Sequence, residues 1–600
     1  MKNIPVCGPT RPGATALVRL LLLLAPAGVW AHPHHHVAQV APAVVSPDTR
    51  PAVAAAPVRT EARLSVTILD AKRGQPTPVR VRITDAAGKP LGPPGLSLPR
   101  NSPGAVEARL AAPGTVLGLP KEAVAVMYGT NDSAQGFGFQ ANGAFYVSGA
   151  FDLPMPAGTY TVTISKGYEY IQTAETLTFR PGDHLTRTYK LDRWIDMPAR
   201  GWHGADDHIH LRRSPRENPL ILDWIAAEDL HVGVLLQMGD FWTTYFSQYA
   251  WGKRGVYGNE RHFLTSGQED PRTHELGHTL SLGADQYVRL QDEYYAYDKF
   301  FDRIHAANGV AGYCHQATSF HGYRGLALDA LGGKIDFLEV MQFCVQQGPL
   351  ALEHYYRFLD LGCKLTALGG SDFPWCGRGL RAGEDQIGSQ IGDARFYTYT
   401  GGELTYERWL AGVKAGNTFV TTGPMLEFEV NGQRPGSAID VPPGTRLRIT
   451  AKAYGHAVQI PLQKLQVIAH GKVLREVQVS GPGQSAAELS VALEIDAAHG
   501  MWIAARTDAG PSQLAHTTPI YVTVNGDGFH NRTNLAAQIE LTRAHLAELR
   551  QQLTPPAGTP VGLPSVRTTP PPWRYPGTSA RLEQRIVETE RRLEALRGRP

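Results

Sequence analysis

The period of the hydrophobic pattern changes twice along this chain, and that change limits the fold more than any single motif. From about residue 61, apolar and polar residues alternate in "ARLSVTILDA", "VRVRITDAAGKPLG" and "GTYTVTISKGYEYIQTAETLTFRPGDHLTRTYKL". A period of two between Gly, Asp and Pro turns specifies strands with one buried face, so residues 61–195 read as an all-β sandwich. From 196 to 423 short apolar runs ("VGVLLQMG", "RHFLTSG", "VAGYCHQ", "KIDFLEVMQ", "KLTALGGSD") alternate with helical stretches such as "RLQDEYYAYDKFFDRIHAANG" and "LEHYYRFLDLG". That alternation predicts a β/α domain with parallel strands. The period returns to two over 424–528, a second sandwich. Residues 529–600 read as two helices around a Pro-rich break. Leu541, Leu546, Leu549 and Leu553 lie near helical spacing there, which predicts a hairpin docked on the body or on a partner, a homo-oligomer through these helices included.

Six hundred residues exceed what one core can organise, so a multidomain chain is expected. The 63 Gly and 44 Pro fit turn-rich β modules better than a bundle of long helices. A formal charge of +3 over this length gives no reason to expect nucleic acid or an anionic membrane as partner. The start of the chain carries Lys2, Arg11 and Arg19, then "LLLLLAPAGVWA" with small residues at the cleavage positions, so 1–31 reads as a signal peptide. A periplasmic or secreted protein without a membrane anchor after cleavage is the expectation. Residues 32–60 are an Ala/Pro/His-rich linker whose His cluster is best read as part of a flexible tether. Cys314, Cys344, Cys363 and Cys376 show no zinc spacing, so a metal site here would use His and carboxylate ligands.

Those ligands are present in order. His208 and His210 in "GADDHIHL" are two apart, which on a strand aims both imidazoles at one face. Glu269 closes "RHFLTSGQE", His278 follows nine residues later, His315 closes "VAGYCH" and Asp372 closes "LTALGGSD". Four histidines and two carboxylates at the ends of apolar runs suffice for two divalent ions bridged by a carboxylate, and polar residues gathered at strand ends are how a β/α barrel builds its site. A rival pattern overlaps this set. "HELGH" at 274–278 matches the H-E-x-x-H of zinc proteases, which requires His274 and His278 on one helix with Glu275 as base. The extension expected of one such class is absent, since Ser281 and Ala284 stand at its Gly and His positions, and Gly277 weakens a helix.

The ordered set "DHIH", "GQE", "GH", "GYCHQ" and "GGSD" resembles the PHP (polymerase and histidinol phosphatase) superfamily of metallohydrolases, in particular the CehA/McbA-like branch of carbaryl hydrolase and its amide-synthetase relatives. The resemblance covers about 196–423, including "RWLAGVKAGNTFVTTGPML". It implies a distorted (β/α)7 barrel flanked by the two sandwiches, the first of them similar to carboxypeptidase-regulatory-like modules. It implies that His208, His210, Glu269 and Asp372 hold one ion, while Glu269 bridges to a second held by His278 and His315. Two departures matter. Gly239-Asp240-Phe241 replaces Thr-Asp-His, and Pro374 stands where Gly-Ser-Asp-x-His would have its last ligand. Pro215, near another contributing position, cannot coordinate through its side chain. The third metal site of trinuclear phosphoesterases is therefore not expected.

Two divalent ions, less two carboxylates and one hydroxide, leave a site charge of about +1 by formal counting. That suits a neutral acyl carbon better than a phosphate dianion, so hydrolysis of an ester, amide or carbamate by a metal-bridging hydroxide is expected. Zinc fits these ligands, with manganese or iron as alternatives. Asp240 and Glu339 are the candidate catalytic residues, Asp240 as a proton shuttle or to orient a metal-ligand histidine and Glu339 through contact with substrate, with capping as the plainer role of each. Asp206 and Asp207 are candidate partners of the imidazoles. Gln268, His274, Gln316, His321, Arg324, Arg378 and Arg381 are candidate substrate-binding residues. The competing functions are a PHP-type phosphoesterase, a non-catalytic metal-containing protein that binds carbohydrate or cell-wall polymer, and, last, the zinc protease.

Overall fold

The computed structural model describes residues 61–91, 144–342, 349–373, 390–481, 484–555 and 570–598. The signal peptide and linker expected over 1–60, together with Cys344, Pro374, Cys376, Arg378 and Arg381, lie outside them. The chain is multidomain and rich in sheet.

Among the described residues seven strands come first: β1 (Ala62–Asp70), β2 (Val79–Asp85), β3 (Phe145–Val147), β4 (Ala150–Met155), β5 (Gly158–Ser165), β6 (Thr173–Phe179) and β7 (His184–Leu191). They form two sheets, ordered β4-β1-β7 and β3-β2-β5-β6. The period-two pattern buries one face of each: Leu64, Val66 and Ile68 meet Val81, Ile83, Val162 and Ile164 in one core. The same core takes in Ile209, Trp224, Ile225 and Phe373, so the module is packed onto the central region of the chain rather than tethered beside it.

The central strands are β8 (Trp202–Ile209), β9 (Val232–Gly239), β10 (Thr244–Tyr245), β11 (Tyr257–Gly258), β12 (Phe263–Glu269), β13 (Arg272–Thr273), β14 (Gly277–Leu282), β15 (Val310–Tyr313), β16 (Phe337–Met341), β17 (Thr366–Gly369), β18 (Arg395–Tyr399) and β19 (Thr418–Thr421). Five helices accompany them: α1 (Asn218–Ala227), α2 (Tyr297–Ala306), α3 (Gly322–Asp329), α4 (Glu353–Asp360) and α5 (Tyr406–Ala415). Parallel ladders join β8 to β9 and β9 to β12, and join β15 to β16 and β16 to β17. Between these two parallel groups β14 runs antiparallel to both β12 and β15.

The sheet curls, because the residues after β17 return to the end of β8. Ile209 bridges Phe373, and the His210 amide donates to the Phe373 carbonyl at 2.8 Å. Gly370 makes this approach feasible: a Cβ there would stand 2.3 Å from Asp207 Oδ1 and 2.7 Å from the His208 amide nitrogen. A sevenfold strand–helix alternation is realised only in part. β9 reaches β12 through a loop holding β10 and β11, with no α-helix between, and β14 and β18 are antiparallel.

The third region holds β20 (Met425–Val430), β21 (Ala438–Val441), β22 (Thr445–Tyr454), β23 (Lys464–Ala469), β24 (Lys472–Gln478), β25 (Glu488–Ala497), β26 (Met501–Asp508), β27 (Leu514–Thr517) and β28 (Ile520–Val524). The sheet β20-β22-β25 packs Phe428, Leu447 and Ile449 against Leu465, Val467, Ile503 and Val522. A ladder between β19 and β27 carries the central sheet into this region, across the boundary drawn from sequence at 423/424.

Two helices end the chain, α6 (Leu535–Gln551) and α7 (Thr578–Arg597). Their apolar residues Leu546, Leu549, Leu582, Ile586 and Leu593 enter the core of the central region, each Leu or Ile contributing roughly 1.5–3 kcal/mol by burial. Leu541, counted with the apolar stripe from sequence, is 40% exposed and faces away from it. Arg581 to Asp298 (2.6 Å), Arg585 to Asp329 and Arg324 to Glu548 (3.2 Å) pin the hairpin in place. Among the described residues no helix is long and apolar enough to cross a membrane.

Candidate metal centre

Strand direction decides which residues meet. β8, β12, β15, β16 and β17 end at one rim of the curled sheet, which brings His208, Glu269, His315, Glu339 and Asp372 there. β14 runs the other way, so its beginning reaches that rim and delivers His278. A short hairpin makes the reversal: β13 pairs with β14, placing Arg272 opposite His278 and Thr273 opposite Gly277. Gly277 takes a positive φ of 84° at the turn's exit, a conformation glycine adopts without Cβ strain.

All six residues expected as ligands converge. His208, His210, Glu269, His278, His315 and Asp372 are buried, none more than 6% exposed. Their ligand atoms form overlapping groups within 4.8 Å: His208, His210 and Glu269; His208, His315 and Asp372; and Glu269, His278, Cys314 and His315. The two carboxylates divide their oxygens. Glu269 Oε2 lies 3.3 Å from His210 Nε2, while Oε1 lies 2.6 Å from His278 Nδ1 and 3.7 Å from His315 Nε2. Asp372 Oδ1 lies 3.2 Å from His208 Nε2 and 3.0 Å from His210 Nε2, while Oδ2 lies 3.1 Å from His315 Nε2.

Neighbouring groups fix these atoms. His208 Nδ1–H donates to Glu339 Oε1 at 3.0 Å, so that in the neutral ring Nε2 is the lone-pair nitrogen turned inward. Glu339 Oε2 accepts the His315 amide at 2.5 Å, so one carboxylate sets the position of two histidines. Gln342 Nε2 donates to Asp372 Oδ2 at 3.0 Å. The Phe320 ring stacks on His278 at 4.4 Å and 16°, and Phe246 lies 5.5 Å from the His210 ring. His315, Gln316, Ala317 and Asp372 all have φ between 51° and 59°, backbone strain of the kind that gathers at sites.

The electrostatics follow from burial and proximity. Burial opposes ionisation of Glu269, yet Arg272 and His278 hold its carboxyl well below the usual range. Burial likewise opposes a charged Asp372, and His208 with the hydrogen bonds of His210 and His315 overrides it, lowering that carboxyl. Burial disfavours protonated His208, but Asp372 and Glu339 raise it well above an ordinary imidazole. Burial and the adjacent Arg272 push His278 down to about 3. Carboxylate oxygens and imidazole nitrogens this close need positive charge among them, from ring protons or from a cation, and the donor set fits divalent ions.

Several other expected residues are employed elsewhere. Asp240 caps its own turn, Oδ1 accepting the Trp242 and Thr243 amides at 2.8 Å and Oδ2 the Tyr245 hydroxyl at 2.9 Å. Asp206 accepts backbone amides of His208, Ser371 and Gly392 rather than an imidazole, and burial raises its pKa to about 6. Asp207 is fully buried, and burial followed by Glu339 drives its carboxyl well above the usual range. Gln268 pins the backbone of Val288, and Gln316 donates to the carbonyls of Val340 and Pro349. His274 is exposed, with the His321 ring 4.7 Å away. Arg324 is committed to Glu548 of α6. The "HELGH" stretch forms the turn and second strand of the hairpin, not a helix, and Glu275 is buried against the Tyr295 hydroxyl at 2.5 Å.

Three participants escaped the sequence. Arg272 places Nε 3.1 Å from Glu269 Oε1 and 3.2 Å from His278 Nδ1. Cys314 is a free, buried thiol whose Sγ lies 3.7 Å from Glu269 Oε1. Phe320 covers His278. Recognition of the hairpin register would have found Arg272, since directly paired residues share a face. No protein-family model matches the chain, and no curated protein matches it in sequence.

Proposed function

We propose that the chain is an exported, metal-dependent hydrolase of the PHP type, acting on an ester, amide or carbamate bond, with its curled central sheet a distorted (β/α)7 barrel. The observation that carries the reading is the division of Glu269, whose two oxygens serve two different histidine groups, as a bridging carboxylate requires. His208, His210, Glu269 and Asp372 would hold one ion, and Glu269, His278 and His315 a second, zinc being the natural occupant of such sites. Two divalent ions there would lower the pKa of a shared water and polarise the scissile carbonyl.

The chain's own residues supply the rest. Glu339 fixes the tautomer of His208, so that its inward nitrogen stays a lone pair. Phe320 stacks on His278 and Phe246 lies beside His210, so the two rings would flank a substrate held there. Metal analysis with a panel of aryl esters, carbamates and phosphoesters tests the proposal. Two ions per chain with acyl hydrolysis, both lost in His208→Ala, is the expected result. Less than one ion per chain, unchanged in that variant, would overturn the metal centre. Phosphatase activity without acyl hydrolysis would overturn the substrate class.

A further inference from the structure

The second half of the proposed centre contains a cation of its own. Arg272 stands opposite His278 in the β13–β14 register, and paired residues put their side chains on one face of the hairpin. Its Nε lies 3.1 Å from Glu269 Oε1 and 3.2 Å from His278 Nδ1, the two atoms that face the second ion's position. Around the first ion's position, His208 and His210 lie against the carboxylates of Glu269, Asp372 and Glu339, and Asp372 also meets His315 at 3.1 Å. The Arg272 backbone is held as well, its amide donating to the Tyr294 hydroxyl at 3.1 Å.

We infer that Arg272 is a built-in competitor for the second subsite, so that the two ions bind with unequal affinity: the first tightly at His208, His210, Glu269 and Asp372, the second only by displacing or repelling a guanidinium. The physical reasons are two. An Nε–H directed at Glu269 Oε1 and His278 Nδ1 engages lone pairs that coordination needs, and a fixed positive charge within a few ångströms of a divalent ion disfavours it in a buried setting. Arginine does not escape by losing its proton, because its pKa lies far above neutral. The residue thereby makes occupancy of the second subsite responsive to metal supply. This inference rests on the binuclear reading above.

The experiment is equilibrium dialysis of chelator-treated full-length protein against zinc, with bound metal counted and folding checked by circular dichroism. The wild type should take up one equivalent tightly and a second at a distinctly higher free zinc concentration. Arg272→Gln should tighten the second step by on the order of tenfold or more while leaving the first unchanged. Arg272→Lys, which keeps the charge, should leave the second step weak. Two equal steps in the wild type would overturn the inference without recourse to any variant. So would a second step in folded Arg272→Gln that is no tighter than in the wild type, or an Arg272→Lys protein that behaves like Arg272→Gln. Zinc bound by neither wild type nor variant would strike at the metal centre itself and remove this inference with it.

Discussion

Asp372 and Glu269 meet across one imidazole: His210 Nε2 lies 3.0 Å from an oxygen of the first and 3.3 Å from an oxygen of the second. Each carboxylate then sends its other oxygen toward the histidines of the opposite side. Removing Glu269, proposed to serve both ions, or Asp372, which serves one and positions His315 of the other, should therefore affect both. Glu269→Gln and Asp372→Asn are each expected to reduce bound zinc to less than about half the wild-type content, with hydrolysis falling at least roughly 100-fold, on the order seen when charged groups central to a metal site are lost. Metal content retained in full with Glu269→Gln would exclude bridging.

Glu339 gives a finer test. It touches His208 Nδ1 and the His315 amide and is fully buried. Glu339→Gln keeps the size but removes the charge that fixes the imidazole, so zinc affinity should fall by roughly 10–100-fold without loss of the fold. A chelator competition assay measures it.

Cys314 belongs to the group of Glu269, His278 and His315. Burial, with Glu269 next in effect, pushes its thiol well above the ordinary range, so the thiolate would form only upon coordination. With the second ion held by Glu269, His278 and His315, the cobalt-substituted protein is expected to lack a sulfur-to-metal charge-transfer band; a band that vanishes in Cys314→Ser would add the sulfur as a further ligand. An identical spectrum in the two proteins would show that the sulfur stays uncoordinated.

Acid should destabilise the protein through histidines away from the metal rim. Burial pushes His203 down to about 4 and His262 down to about 3, against about 6.5 in an unfolded chain. Between those limits the unfolded state binds the extra proton, so stability rises with pH there. Their contribution is complete above pH ~6.5 and declines on acidification, by about 2 kcal/mol for His262 alone at pH ~5. Buried Asp206, raised to about 6, acts in the opposite sense over part of this range. Urea midpoints from pH ~7 to ~4.5 should fall, and less steeply in His262→Asn.

The terminal hairpin bears on stability. Arg585 pairs with Asp329, which is fully buried and also accepts the Tyr313 hydroxyl at 2.7 Å. Arg585→Met leaves that carboxylate without its counter-charge and should cost roughly 3–5 kcal/mol, far more than an exposed pair such as Arg592 with Glu588. Denaturant melts of Arg585→Met and Arg592→Met make the comparison.

The ligand set was legible because its members are polar residues closing apolar runs, where a soluble strand has no other need of them. His208 and His210 even declared their shared face through their spacing. Asp240 carries the same mark and means something else, since a carboxylate that caps a turn and one that moves a proton look alike until its amide partners are known. Gln268 and Gln316 misled for the same reason. What could not be read was strand direction. The apolar run "GHTLSL" reads the same for a parallel or an antiparallel strand, so the reversal at β14, and with it Arg272 beside His278, had no signature of its own. Cys314 was visible only as a neighbour of His315, because its role depends on where Glu269 arrives from a strand 45 residues earlier.

Ten residues, from the end of β12 into the β13–β14 hairpin, carry Glu269, Arg272 and His278. Because side chains alternate along a strand, gaining or losing one residue between Thr273 and Gly277 would upset the register that sets Arg272 opposite His278. On the two-ion reading proposed above, the length of this turn alone then decides whether the second subsite can form.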